Sequence, residues 1–380
     1  MPNNFEFWKK QHDSDLLEKF NNSQEGLLWL KIKSITRKSI ITDFTEKYGY
    51  TLNETAIGKQ FKELYKILSP NLDKSHTELD KFIFSKNIEQ LDELDTEYLV
   101  NELYQLKHFD WGGDYQNALD KYLVKRYVKE NQSYDWLKSK IDTDIHQAVQ
   151  GYVLCSWYNH WSSILIEHIF KSHKIILPTI GQIKNVDFFL NGIPFDLKVT
   201  YLPTNFIKTQ RKNAGLKPEL TFLKQRAREL NIQFDNKESD SNLYYQLTEK
   251  MKDKGNNLGL NTLKEIKDFR LDLIKKIKTN PLLIAKNLYE EQGEMRFGAE
   301  NRIFLILIDK SDFDNSWKLK RNIELLKPKI YDYLDSFSKK KIDDFKLNFY
   351  KKGNPSQFPK EYKVLTDVLV IEKELLKFKK

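Results

Sequence analysis

The sequence predicts an α/β fold: a mixed sheet core flanked by helices, preceded by an all-helical N-terminal region. Three stretches carry that expectation. Asn191-Gly192 separates two alternating runs, 185–190 and 193–200, and both turn residues tolerate the positive φ angles of a two-residue hairpin. Residues 302–309, Arg-Ile-Phe-Leu-Ile-Leu-Ile-Asp, are nearly continuously apolar and β-branched, as a strand buried on both faces should be. Residues 145–170 repeat apolar side chains every three or four positions, the period of an amphipathic helix leading into the hairpin.

The hairpin fixes a register. With Asn191 and Gly192 at the turn, Leu190 faces Ile193, Asp187 stands opposite Asp196, and Asn185 stands opposite Lys198. Side chains alternate between faces along a strand, so Val186, Phe188, Leu190, Ile193, Phe195, Leu197 and Val199 share an apolar face that must be buried. The other face gathers Asp187, Asp196, Lys198 and Thr200 beside Phe189 and Pro194. Two like charges opposed across a strand pair repel, so the arrangement calls for a cation. Lys198 can serve alone. The sharper reading is a divalent ion held by Asp187, Asp196 and the Leu197 carbonyl, leaving Lys198 to orient or deprotonate a water. Mg²⁺ suits such a set because it takes oxygen ligands, keeps several waters and needs only one or two carboxylates facing a phosphate. An ion so placed polarises a phosphodiester and lowers the pKa of bound water.

Asp187 followed by Asp196-x-Lys198 on a hairpin resembles the catalytic signature of the PD-(D/E)xK nuclease superfamily, the fold of many type II restriction endonucleases. The resemblance covers residues 150–202, with Val186 where the motif's nominal Pro would stand. It implies a restriction-endonuclease-like core in which Asp187 and Asp196 bind metal and Lys198 acts on the attacking water. Glu167, on the preceding helix, would add a further ligand. The acid-x-Lys pattern alone is cheap in a Lys-rich chain, since Glu265-Ile266-Lys267, Asp344-Phe345-Lys346 and Glu361-Tyr362-Lys363 also satisfy it. Only Asp196 has an opposed upstream Asp across a tight turn. Without a metal, the same residues read as a solvated outer face with a surface salt bridge, worth little energetically.

At 380 residues the chain is long enough for two domains and a sizeable core. Hydrophobic residues at 40% and charged ones at 31% read as soluble and globular. The net charge of +9 suits a polyanion ligand, although a Lys-rich composition gives the same excess. Cys155 is the sole cysteine, which excludes an intramolecular disulfide and a Cys-based zinc site. Phe5, Phe7 and Trp8 are interrupted by polar residues, so no signal peptide is expected. No run of about 18 apolar residues suggests a membrane span. The cytoplasm is the expected compartment.

Along the chain, residues 1–140 read as a helical region and 141–380 as the nuclease core, with a helical insertion at 203–300. Within the first, residues 27–68 outline a candidate helix-turn-helix: apolar residues at helical spacing, a stop at Gly49, and a capping box at Thr51-Leu52-Asn53-Glu54. Its second helix would present Thr55, Lys59, Gln60 and Lys62 to DNA; an ordinary solvated helix pair has the same outline. Residues 70–95 read as a connector and Trp111-Gly112-Gly113-Asp114 as a loop. In the helix 145–170, Val149, Val153, Trp157, Trp161, Ile164, Leu165 and Ile169 form the apolar stripe, and Glu167 shares a line with Ser163 and His160. Ile175–Leu177 is a first strand ended by Pro178. The insertion opens basic, which makes Gln210, Arg211 and Lys212 candidate DNA contacts. Leu347, Tyr350 and 364–371 lie in further strands, after a helix at 319–337.

The resemblance implies a Mg²⁺-dependent endonuclease acting on double-stranded DNA, a type II restriction enzyme working as a homodimer. Two alternatives stand beside it: another DNA nuclease on the same fold, and a non-catalytic DNA-binding protein in which the helix-turn-helix does the work.

Overall fold

A computed structural model of the chain describes residues 4–14, 16–21, 23–108, 119, 123–129, 132–236, 240–291, 300–337, 339–350 and 361–374. The helices are α1 (Phe5–Asp13), α2 (Gln24–Ser34), α3 (Lys38–Tyr48), α4 (Ile57–Leu68), α5 (Leu72–Asp92), α6 (Thr96–Leu103), α7 (Tyr134–Lys140) and α8 (His146–Lys171). After three strands follow α9 (Thr204–Asn213), α10 (Glu219–Glu229), α11 (Asp240–Lys254), α12 (Asn257–Thr279), α13 (Pro281–Glu291) and α14 (Ile323–Phe337). The strands are β1 (Ile176–Ile183), β2 (Val186–Leu190), β3 (Ile193–Thr200), β4 (Arg302–Asp309), β5 (Lys346–Tyr350) and β6 (Glu361–Lys373). They form one mixed sheet in the order β1-β2-β3-β4-β6-β5. β1, β2 and β3 are antiparallel, β3, β4 and β6 run parallel, and β5 returns antiparallel at the edge.

The chain divides into two compact units: Met1–Thr96 with Leu165–Tyr201 and Ile277–Lys380, and Glu97–Ile164 with Leu202–Lys276. The division does not fall at the expected boundary near residue 140, because the N-terminal helices share a core with the sheet. One face of the sheet packs Phe188, Leu190, Ile193, Phe195, Leu197 and Ile303 against Ile166, Ile169 and Phe170 of α8 and Leu326, Ile330 and Leu334 of α14. At β1 and β2 the opposite face packs Leu177, Ile180, Ile183, Val186 and Phe189 against Trp8, Phe20, Trp29 and Ile83. Val186 therefore leaves the face it was expected to share, and Phe189 is covered by helices.

Asn191 (φ 50°) and Gly192 (φ 73°) make the turn, and Leu190 pairs with Ile193, Phe189 with Pro194 and Phe188 with Phe195, the expected register. β4 runs over the expected residues, all buried. Elsewhere the elements differ from expectation. β1 continues through Pro178, which an edge strand tolerates because it has no second partner for that missing N–H. Its register slips between Pro178 and Ile183, where Ser34 Oγ accepts from the Ile180 N–H (2.9 Å) and Gln90 Nε2 donates to the Ile180 carbonyl (3.3 Å). Residues 70–95 are not a connector: Asn71 caps α5, which buries Leu79, Phe82 and Ile83. The first helix of the candidate helix-turn-helix breaks at residues 35–37 into α2 and α3, and Thr51–Glu54 does not start the next one. The Glu63 carboxylate accepts from the Asn53 and Glu54 N–H groups (3.0 Å), and α4 begins only at Ile57.

In the second unit, Phe222, Leu223 and Ala227 of α10 pack with Leu243, Leu247 and Met251 of α11 and Ile266 of α12. On α8 the expected stripe holds only in part: Leu165 and Ile169 are buried, but Val153 is exposed and Val149, Trp157, Trp161 and Ile164 are half-buried, while Cys155 and Tyr158 are buried instead. The Trp111–Asp114 loop lies outside the described residues.

Candidate functional site

The β2–β3 pairing runs from the turn out to Phe188 and Phe195, and Asp187 and Asp196 are the next residue outward on each strand. Their surroundings differ. Asp187 Oδ2 accepts from the Leu197 N–H at 2.7 Å, so Leu197 meets this acid through its amide rather than its carbonyl. Asp196 is buried and takes two cations: Lys198 Nζ donates to Oδ1 at 2.9 Å and Arg302 Nε to Oδ2 at 2.8 Å. Lys198 is 41% exposed while Arg302 is fully buried. Parallel pairing of β3 with β4 sets Arg302 opposite Asp196.

Arg302 belongs to a wider network. Its Nη2 donates to Glu300 Oε2 (3.1 Å), Asn185 Nδ2 donates to Glu300 Oε1 (2.7 Å), and the guanidinium lies over the Tyr289 ring, 5.3 Å from its centre. Asn185 reaches Glu300 because it sits in the β1–β2 turn at φ 64°, not opposite Lys198 in the strand as expected. Asn301 completes the support by donating to the Pro194 carbonyl (3.0 Å) and accepting from the Leu365 N–H (2.9 Å). Removing a buried cation of this kind leaves its acids uncompensated, so the network holds Asp196 in place.

Electrostatics tie the acids together. Burial first, then Asp196 and then Glu167, raise the Asp187 carboxyl from 3.8 to about 6 against the opposing pull of the Leu197 amide and Lys198. Glu167 is close enough to act on Asp187 while its own carboxylate holds Lys171 at 3.1 Å. Asp187 and Glu167 line one wall of an open cleft of about 720 Å³ whose other polar lining includes His12, Lys33, Arg37, Lys171, Gln182 and Lys184.

No family model, curated protein or solved structure matches the chain.

Among the described residues no three His, Cys, Asp or Glu side chains form a ready metal cage. The donors nevertheless fit a hard divalent cation of the Mg²⁺ type, which binds through one or two carboxylates and keeps its waters. The Asp187 carboxyl is raised chiefly by its burial and then by the Asp196 and Glu167 carboxylates, and Lys198 only partly opposes this. Asp187 and Asp196 would hold such an ion. Glu167 stands beside them, and Leu197 serves by orienting Asp187.

The other expected contacts divide. Thr55, Lys59 and Lys62 are exposed and Gln60 is half-buried, but Lys59 pairs with Glu54 (3.4 Å) and Lys62 with Glu6 (2.7 Å). Lys212 is exposed on α9 and Gln210 half-buried. Arg211 is 1% exposed, donates from Nε to the Lys217 carbonyl (2.6 Å), and stacks its guanidinium on Phe222 and Phe269 (5.6 and 5.0 Å). It is a packing residue, which overturns its assignment to DNA. Sequence reasoning passed over Arg302, although an Arg opening a wholly apolar strand must find a buried acid. It also passed over Lys33, Arg37 and Lys184, whose surroundings depend on which helix lies against β1.

Proposed function

We propose that the chain is a Mg²⁺-dependent endonuclease hydrolysing phosphodiester bonds of double-stranded DNA, with the restriction-endonuclease-like fold and the site-specific, homodimeric type II activity that its hairpin motif implies. One observation supports this reading: Asp187 and Asp196 flank the paired part of a tight hairpin and act on each other electrostatically, with Lys198 tethered to Asp196 and Asp187 lining a cleft with several basic side chains. A bound Mg²⁺ would polarise the phosphodiester and lower the pKa of its water. Lys198, half in solvent and held 2.9 Å from Asp196, orients the attacking water and faces the charge that develops on the phosphate. Arg302 fixes Asp196 from below, so the carboxylate needs no rearrangement to meet a ligand. Asp187 must lose its proton to bind metal, which places the rise of activity near pH 6.

A second reading has its own support. Both Asp196 oxygens already have cationic partners, as they would in a purely structural ion network within a non-catalytic DNA-binding protein. Incubation with supercoiled plasmid in Mg²⁺ and in EDTA separates the two. Discrete fragments in Mg²⁺ that vanish in EDTA support the restriction reading, and random nicking supports a general nuclease. Intact plasmid with a gel shift overturns the hydrolytic proposal in favour of the binder.

A further inference from the structure

The cleft beside Asp187 has a wall that the catalytic residues do not explain. α2 ends at Ser34 and α3 starts at Lys38, and the elbow between them is fastened to the edge strand β1. Ser34 Oγ accepts from the Ile180 N–H at 2.9 Å, and a Cβ on Gly181 would lie 2.5 Å from the Ser34 carbonyl oxygen, so only glycine permits the approach. Lys33 and Arg37 project from this elbow into the cleft that Asp187 and Glu167 also line, with Lys184 on the β1–β2 turn. The wall is rigid, because residues 26–32 and 34 of α2 are buried.

Charge distinguishes these two cations from most of their neighbours. Lys31 pairs with Asp80, Lys59 with Glu54, Lys62 with Glu6 and Lys86 with Asp43. Among the described residues no carboxylate pairs with Lys33 or Arg37, and the Lys33 ammonium lies over the Phe61 ring at 5.8 Å. Two uncompensated cations lining the same cleft as two carboxylates match a chain of phosphodiesters: flanking phosphates meet the cations and the phosphate to be cut meets the acids. Resting on the nuclease reading, we infer that Lys33 and Arg37 bind the DNA backbone next to the scissile phosphate. The α2–α3 elbow, rather than the ion-paired outer face of α4, therefore carries the strand into the site.

Fluorescence anisotropy with a labelled short duplex, titrated on the full chain in EDTA at several salt concentrations, tests this without requiring cleavage. Each phosphate contact contributes about 0.9 to the slope of log affinity against log salt. The Lys33→Ala/Arg37→Ala variant is expected to lower that slope by about 2 and to weaken binding at least about tenfold. Arg37→Gln, altering an exposed side chain that can be lost without unfolding, is expected to lower it by about 1. Lys59→Ala/Lys62→Ala is expected to bind like the parent. An unchanged slope in the first two variants, an equal loss in the third, or competition by a mononucleotide as effective as by unlabelled duplex overturns the assignment. Duplex binding without cleavage in Mg²⁺ overturns the nuclease reading instead, and cleavage with an unchanged slope overturns only this one.

Discussion

Replacing Asp187 with Asn removes one charge from the acid cluster while keeping an oxygen that can accept from the Leu197 amide. The Asp187 carboxyl rises from 3.8 to about 6 in the folded chain, chiefly through burial. A rise of that size corresponds to about 3 kcal/mol at full effect, and to about 2 after allowing for its partial contact with solvent. The folded state holds the proton more tightly than the unfolded state, so the ionised carboxylate costs stability. That cost is nearly absent below the unfolded value of 3.8, grows as pH rises, and is complete above about 6. Asp187→Asn is therefore expected to gain about 1 kcal/mol at pH 5 and about 2 at pH 8, relative to the parent in EDTA. Urea unfolding followed by tryptophan fluorescence reads this directly, since Trp8, Trp29 and Trp317 are buried in the unit that contains the site. Adding Mg²⁺ is expected to stabilise the parent and leave the variant unmoved, because only a ligand bound to the folded state shifts the equilibrium. A gain that is the same at both pH values, or a variant less stable than its parent at pH 8, would refute the reasoning.

Other substitutions probe the supports. Arg302→Leu strands Asp196 and Glu300 without their buried cation and is expected to cost about 3–5 kcal/mol in chemical denaturation. Gly181→Ala forces a methyl group to within 2.5 Å of the Ser34 oxygen, and is expected to cost about 1–3 kcal/mol in the same assay as α2 and β1 separate. Arg211→Ala removes a buried hydrogen bond and two ring contacts, so it is expected to lower stability by about 1–3 kcal/mol while duplex affinity in an anisotropy titration stays within about twofold.

The hairpin was legible because its information is local: Asn191 and Gly192 set the turn, and strand alternation then pairs Leu190 with Ile193 and Phe188 with Phe195 without reference to the rest of the chain. β4 was legible because burial on both faces leaves an unmistakable apolar run. What stayed hidden depends on partners far along the chain. Arg302 reaches Asp196 across 106 positions, through a parallel pairing whose register no local pattern reveals. Arg211 looked like a basic contact because nothing nearby announces that Phe269 will cover it. The Thr51–Glu54 capping pattern lost to Glu63, a carboxylate six residues into the following helix that takes the Asn53 and Glu54 amides. Pro178 ends an interior strand but not an edge one, and edge status follows from topology rather than sequence. The basic cleft wall was invisible for the same reason, since Lys33 and Arg37 meet Asp187 only once α2 docks on β1.

Single-turnover cleavage of a short duplex, with the chain in excess and Mg²⁺ present, measures the chemistry of the acid pair and its lysine most directly. Parent protein is expected to convert the duplex to product, and Asp187→Ala, Asp196→Ala and Lys198→Ala are each expected to slow that conversion at least about a hundredfold while still binding the duplex. Product formed at the parent rate by any of the three, or none formed by the parent itself, would contradict the assignment of Asp187, Asp196 and Lys198 as the hydrolytic site.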